Sequence, residues 1–187
     1  MSGKLSVNAV DIHGLYEIST NAFGDHRGIF ARWFCDNELK DILKDRIIRN
    51  VNFSRTAHAG TVRGLHYQIP PHSEMKIVRC IRGEVLDVAV DIRKGSPTYM
   101  QHHAVLLSDS NMKAFVIPEG FAHGFQAMTD DCEIMYLVTE HYSTEHERGL
   151  NHADPAIGIE WPLMISEVSD KDRKYSMINS TFEGVTL

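Results

Sequence analysis

From residue 60 onward, short apolar runs alternate with turn residues. Residues 76–81 set isoleucine, valine and cysteine between basic side chains and stop at Arg82-Gly83, a turn signal. Residues 85–92 alternate toward Asp87 and Asp91 and end before Lys94-Gly95-Ser96-Pro97. Residues 103–107 read as another strand, closed by Ser108-Asp109-Ser110-Asn111, and 114–117, 124–128 and 132–139 continue the series. Strands with turn signals about every 8–12 residues predict a sandwich or barrel rather than alternating βαβ units. Two helices are expected. Residues 36–43 open on capping side chains and put Leu39, Ile42 and Leu43 on one face, and the charged tail 166–175 opens on Ser166 and Glu167.

Composition narrows this. A chain of 187 residues is expected to form a single domain, 1–187. That length buries roughly 70% of the surface exposed by the unfolded chain, so staples are not needed. Three cysteines (Cys35, Cys80, Cys132) lack paired spacing, which fits a reducing cytoplasm better than a disulfide framework or a zinc ribbon. The chain opens without a signal-like pattern, and no apolar run nears the ~20 residues of a membrane span, so a soluble, cytoplasmic protein is expected, with no membrane partner. A net charge of −6 argues against a nucleic-acid partner. An anionic ligand would need a local cluster of Arg and Lys. Of the eleven histidines, His13, His58, His141 and His146 sit in polar surroundings and read as solvated side chains. Arg55, Arg79, Arg82 and Arg93 read as surface or structural charges.

The candidate chemistry begins at Gly60-Thr61-Val62-Arg63-Gly64-Leu65-His66-Tyr67-Gln68, with Lys76 ten residues past His66. A base, a cation and a guanidinium are the parts needed to take a proton from carbon beside a carbonyl. A second histidine, His123, lies in Pro118-Glu119-Gly120-Phe121-Ala122-His123, which resembles the second cupin motif, proline–x–glycine–x–x–histidine. The fold expected is therefore mainly β, a double-stranded β-helix or cupin-like jelly roll with a few short helices. The first cupin motif wants two histidines one residue apart and then a glutamate. Gln68 takes the second histidine's place while Glu74 remains, which weakens a metal site. Two alternatives stay open beside an isomerase: a metal-dependent cupin using His66, Glu74 and His123 with His72 or Gln68, and a non-catalytic sugar-nucleotide binding module.

Several stretches together resemble the dTDP-4-dehydrorhamnose 3,5-epimerase family. They are Gly24-Asp25-His26-Arg27-Gly28-Ile29-Phe30, Asn52-Phe53-Ser54-Arg55, Arg63-Gly64-Leu65-His66-Tyr67-Gln68, Lys76-Ile77-Val78-Arg79, and Ile117-Pro118-Glu119-Gly120-Phe121-Ala122-His123. Further matches are Tyr136, Tyr142, Asp154-Pro155, Trp161-Pro162 and Ser169-Asp170-Lys171-Asp172, so the resemblance spans about residues 13–178. It implies a metal-free and cofactor-free epimerase acting on a nucleotide-diphosphate sugar. The implied assembly is a homodimer exchanging N-terminal strands. His66 would be the base, oriented by Asp172. Lys76 would stabilise the enolate oxygen, and Tyr136 would return a proton from the opposite face. Arg63, Asn52 and Gln68 would hold substrate, His123 would line the pocket, Arg27 would meet the diphosphate and Tyr142 would pack near the nucleotide. The imidazole and ammonium are expected on one side of the sugar with the phenol opposite, its pKa lowered by a neighbouring cation. Three positions depart from the family pattern: Arg32 replaces a glutamate, Asn50 a glutamine, and 151–154 lack a tryptophan before Asp-Pro.

Overall fold

A computed structural model describes residues 4–187. The strands, in chain order, are β1 (Leu5–Ala9), β2 (Tyr16–Thr20), β3 (Phe23–Asp25), β4 (Gly28–Phe30), β5 (Asn50–Thr56), β6 (Val62–Gln68) and β7 (Lys76–Arg82). They continue with β8 (Glu84–Asp91), β9 (His102–Ser108), β10 (Ala114–Ile117), β11 (Phe121–Ala127), β12 (Cys132–Val138) and β13 (Glu147–Gly149). Two one-turn helices, α1 (Lys40–Leu43) and α2 (Asp170–Arg173), complete the order. The strands expected from the apolar pattern between residues 76 and 139 are all present.

One antiparallel sheet runs β1-β2-β10-β7-β12-β5 and a second runs β13-β6-β11-β8-β9, with β3-β4 as a separate hairpin. Crossing between consecutive strands sends β7, β10 and β12 to the first sheet and β8, β9 and β11 to the second, the exchange that makes a jelly roll. The main core lies between the two inner faces. Val78, Phe115 and Ile134 from the six-stranded sheet meet Val85, Ala89, Val105 and Phe125 from the five-stranded one. The outer face of the six-stranded sheet is covered by Leu39 and by α1 through Ile42 and Leu43. The outer face of the other is covered by the C-terminal segment through Ile157 and Val185.

Both helices are shorter than expected. The segment before α1 forms turns, and the Glu38 carboxylate accepts from the Leu5 N–H and from Arg32 instead of capping the helix. In the tail, 166–168 run alongside β6: Ser166 N donates to Gly60 O, Val62 N to Glu167 O, and Val62 bridges Val168. Helix is left only after Ser169, whose hydroxyl caps it by accepting from Asp172 N.

Candidate active site

A cavity of about 530 Å³ opens between the sheets. Its walls come from β5 (Ser54 to Thr56), β6 (Arg63, His66), β7 (Lys76), β11 (His123), β12 (Tyr136) and the tail from Glu167 to Asp172. Six of the expected site residues, His66, Lys76, Tyr136, Asp172, Arg63 and His123, therefore share one cavity.

His66 stands on β6, directly opposite His123 on one side and Gly149 on the other. Beside it β6 and β11 approach so closely that a Cβ at Gly64 would lie 2.6 Å from His123 O, and one at Gly124 would lie 2.6 Å from Arg63 O. Glycine at both places is what lets the two histidine-bearing strands meet across their register shift. Behind His66, Nε2 is 2.7 Å from Asp172 Oδ1, while Oδ2 of the same carboxylate accepts from Gly64 N at 3.1 Å. Burial works against ionising Asp172, yet His66, Gly64 N–H and Ser169 hold its carboxyl below the usual 3.8. An Nε2–H donating to that carboxylate leaves Nδ1 as the nitrogen free to accept a proton.

His123 has a partner of the same kind. Its Nε2 lies 2.9 and 3.0 Å from the two oxygens of Asp87, a fully buried residue on β8. Sequence reasoning missed Asp87, although the signal was present. It shares the inward face with Val85 and Ala89, where a carboxylate needs a buried partner.

Lys76 and Tyr136 stand on adjacent strands of the six-stranded sheet, where Tyr136 pairs with Val78 and Val138 with Lys76. The ammonium thus shares a sheet with the phenol, and the imidazole faces them from the other. The strand exchange sends β6 and β7 to different sheets. Lys76 Nζ lies 3.3 Å from Glu74 Oε1, and both side chains are largely buried. For Tyr136, burial and then Glu74 push the phenol above its usual 10, against a smaller pull from Arg63. The expected lowering is overturned, and Tyr136 keeps its proton throughout the neutral range.

Arg63 is held by its donations to Thr56 Oγ1 and Arg55 O. Arg55 and Lys171 also line the cavity and were not singled out as ligands from sequence. Four expected binding residues lie outside its walls. Asn52 pairs with Tyr136 in the sheet register without reaching the cavity lining. Gln68 is corrected from substrate group to loop clamp: its amide donates to His72 O and His141 O and accepts from Ser143 N. Arg27 pairs with Asp25 on the exposed β3–β4 hairpin. Tyr142 is exposed and donates to Glu147 Oε2. Arg32, at a position that departs from the family pattern, pairs with Glu38 at 2.7 Å.

The metal-ligand set weighed from sequence does not converge. Glu74 is taken by Lys76, His72 packs at a tilt against His146, and among the described residues no three His, Cys, Asp or Glu side chains are grouped to hold a metal ion. No helix among them is long and apolar enough to cross a membrane.

Known proteins share both the sequence and this architecture. The family profile described as dTDP-4-dehydrorhamnose 3,5-epimerase matches residues 9–180. A protein of that name from Sinorhizobium fredii is 47% identical over 156 residues, 83% of this chain and 80% of its own. One from Shigella flexneri is 41% identical over 172 residues, 90% of this chain and 93% of its own. Among solved structures, a dTDP-6-deoxy-D-glucose-3,5-epimerase from Legionella pneumophila in complex with dTDP-4-keto-L-rhamnose superposes with a TM-score of 0.89. It is 35% identical and covers 98% of this chain and 99% of its own. A 3'-monoepimerase from Streptomyces bikiniensis in complex with dTDP-quinovose gives 0.84 at 30% identity, over 90% and 85% of the two chains. With its histidine–carboxylate pair, lysine and tyrosine around one cavity of a jelly roll, this chain belongs to the dTDP-4-dehydrorhamnose 3,5-epimerase family.

Proposed function

We propose that this chain epimerises C3, C5 or both of a nucleotide-linked 4-keto-6-deoxyhexose during deoxysugar synthesis. The hydrogens at C3 and C5 are acidic because both carbons adjoin the C4 carbonyl. His66 Nδ1 takes one of them, and the Asp172 carboxylate supports the imidazolium that forms. Negative charge moves to the C4 oxygen, where the Lys76 ammonium lowers the barrier; one such contact is typically worth about 10²–10³ in rate. Tyr136 O–H then delivers a proton to the opposite face of the carbon, inverting it. His66 returns its proton to solvent and Tyr136 regains one, so atoms and charges balance with no electron or group transferred. The observation that carries this reading is the placement of His66 and Tyr136 on facing sheets of one cavity that Lys76 also lines.

Arg55, Arg63 and Lys171 along the cavity support binding of the diphosphate in a chain of net charge −6. We further read the active form as a cytoplasmic homodimer of one cupin-like domain per chain, with N-terminal strands exchanged. Exposed Phe23, Ile29 and Phe30 on the β3–β4 hairpin, and Val51 and Phe53 on edge strand β5, support a partner surface. That arrangement would let Arg27 reach a neighbour's nucleotide, with Asn52 and Tyr142 completing the binding surface.

Incubation with dTDP-4-keto-6-deoxyglucose in D₂O tests the reading. Deuterium should enter C3, C5 or both, with inversion seen by NMR. Absence of exchange with every nucleotide-linked 4-keto sugar tried would refute it.

A further inference from the structure

His66 is touched by a second ring that sequence reasoning left unassigned. Tyr175 meets the imidazole edge-on, with centroids 6.0 Å apart and ring planes at 70°. Tyr175 does not line the cavity, so it contacts the imidazole from outside the substrate space.

Room for this ring is made at one backbone position. Gly149 on β13 is the register partner of His66. A Cβ there would lie 2.2 Å from both Cε2 and Cζ of Tyr175 and 2.6 Å from Cδ2. The φ of Gly149 lies outside the left-handed region, so its backbone does not demand glycine. What demands it is the ring.

The brace and the carboxylate belong to one segment. Tyr175 follows Asp172 by three residues, at the end of α2, with its N–H directed at Asp172 O and its carbonyl accepting from Asn151 Nδ2. The segment is tied down through Lys171, whose ammonium lies 2.5 Å from Glu147 Oε2 on β13. Strand β13 thus holds α2 at Glu147 and receives Tyr175 at Gly149. Burial pushes the Tyr175 phenol up and Lys171 pulls it only partly back, so the ring stays neutral beside the base.

We propose that Tyr175 is a positioning residue for the proton-transferring imidazole, its ring seated over Gly149 and bracing His66 so that Nδ1 stays aimed into the cavity. The proposal rests on His66 as the base. A carboxylate at Nε2 alone leaves the imidazole free to swing about that hydrogen bond, and a misplacement of about 1 Å can cost roughly 10²-fold.

The test compares Y175A, Y175F and G149A in the full-length protein. Y175A should lower kcat about 10–100-fold, with KM for the keto sugar within about twofold. Y175F, which restores the ring, should recover kcat to within about threefold. G149A, which drives the ring out, should match Y175A, and the double variant Y175A/G149A should be no worse than Y175A. The acidic limb of the kcat/KM profile should move in Y175A and not in Y175F. Wild-type kcat in Y175A, or Y175F as impaired as Y175A, would overturn the brace. NMR titration of the His66 ring reads the same contact without turnover. A His66 titration changed by Y175A and restored in Y175F supports the brace even if no keto sugar is epimerised, whereas an unchanged one overturns it.

Discussion

Asp172 grips His66 at Nε2 from 2.7 Å while its second oxygen holds the backbone N–H of Gly64, two residues upstream on the same strand. The carboxylate therefore fixes the tautomer and the strand together. D172N should keep the protein folded and lower kcat by about 10²–10⁴-fold, the usual worth of a positioned proton-transfer group, with KM little changed. The folded carboxyl titrates below 3.8. Its contribution to stability is therefore present above the ordinary carboxylate range and fades as pH falls through the folded value. D172N should accordingly flatten the acid side of the stability–pH curve measured by urea unfolding.

Tyr136 and His66 should separate in isotope experiments. Y136F removes the donor and leaves the base, so inversion should drop about 10²–10⁴-fold while solvent deuterium still enters the sugar with retained configuration. H66A should lose both. Because burial and Glu74 raise the Tyr136 phenol above 10, rate loss from its ionisation in the wild type should come only above pH 10. A descending limb near pH 8 that vanishes in Y136F would contradict this assignment.

Asp91 makes a separate prediction about stability. It is fully buried, and burial alone would raise its pKa, but Arg93, Ser96 and Thr98 all donate to it and bring it to about 2 from 3.8. That difference corresponds to about 2 kcal/mol. The sign is that of a depressed carboxyl: the stabilisation is complete above about pH 4 and is lost as pH falls toward 2. D91N should cost at least about 2 kcal/mol at pH 7 and show a smaller loss between pH 4 and pH 2 than wild type, read by urea melts at each pH.

The edge strand predicts association. V51D/F53D places two charges on the outward face of β5, where both residues are about 61% exposed. Sedimentation velocity should show the wild type as a dimer and this variant as a monomer at micromolar concentration. A monomeric wild type would remove the dimer from the proposed function.

Residues 76–139 were legible because each strand there buries one face or both, and apolar residues mark the buried positions. Strand β5 hid because its pattern is inverted. Asn50, Asn52 and Ser54 are half-buried while Val51 and Phe53 are exposed, so polar residues take the inward positions and apolar ones face outward. The tail read as a longer helix because its charges suit one, but 166–168 are used as a strand-like strap along β6, and only tertiary structure supplies those hydrogen bonds. In the site, His66 and Lys76 stood out through the base, cation and guanidinium set close together in sequence, and Tyr136 through the family resemblance. Gln68 was misread because its neighbours in sequence said nothing of the loops it clamps. Asp87, Glu147 and Tyr175 escaped because their partners lie 36, 24 and 109 residues away along the chain, a pairing visible only once the sheets assemble.

His66, the proposed proton acceptor, rides on one sheet and Tyr136, the proposed donor, on the other, so the gap between them is the thickness of the packed interior, about 10 Å for facing sheets. Phe115, Phe125 and Val105 act as spacers in that gap. Trimming one of them would cost stability, and it would also let the two walls settle nearer each other. Turnover in such variants should then follow how far the walls relax, even though none of the trimmed side chains takes part in the proton transfer.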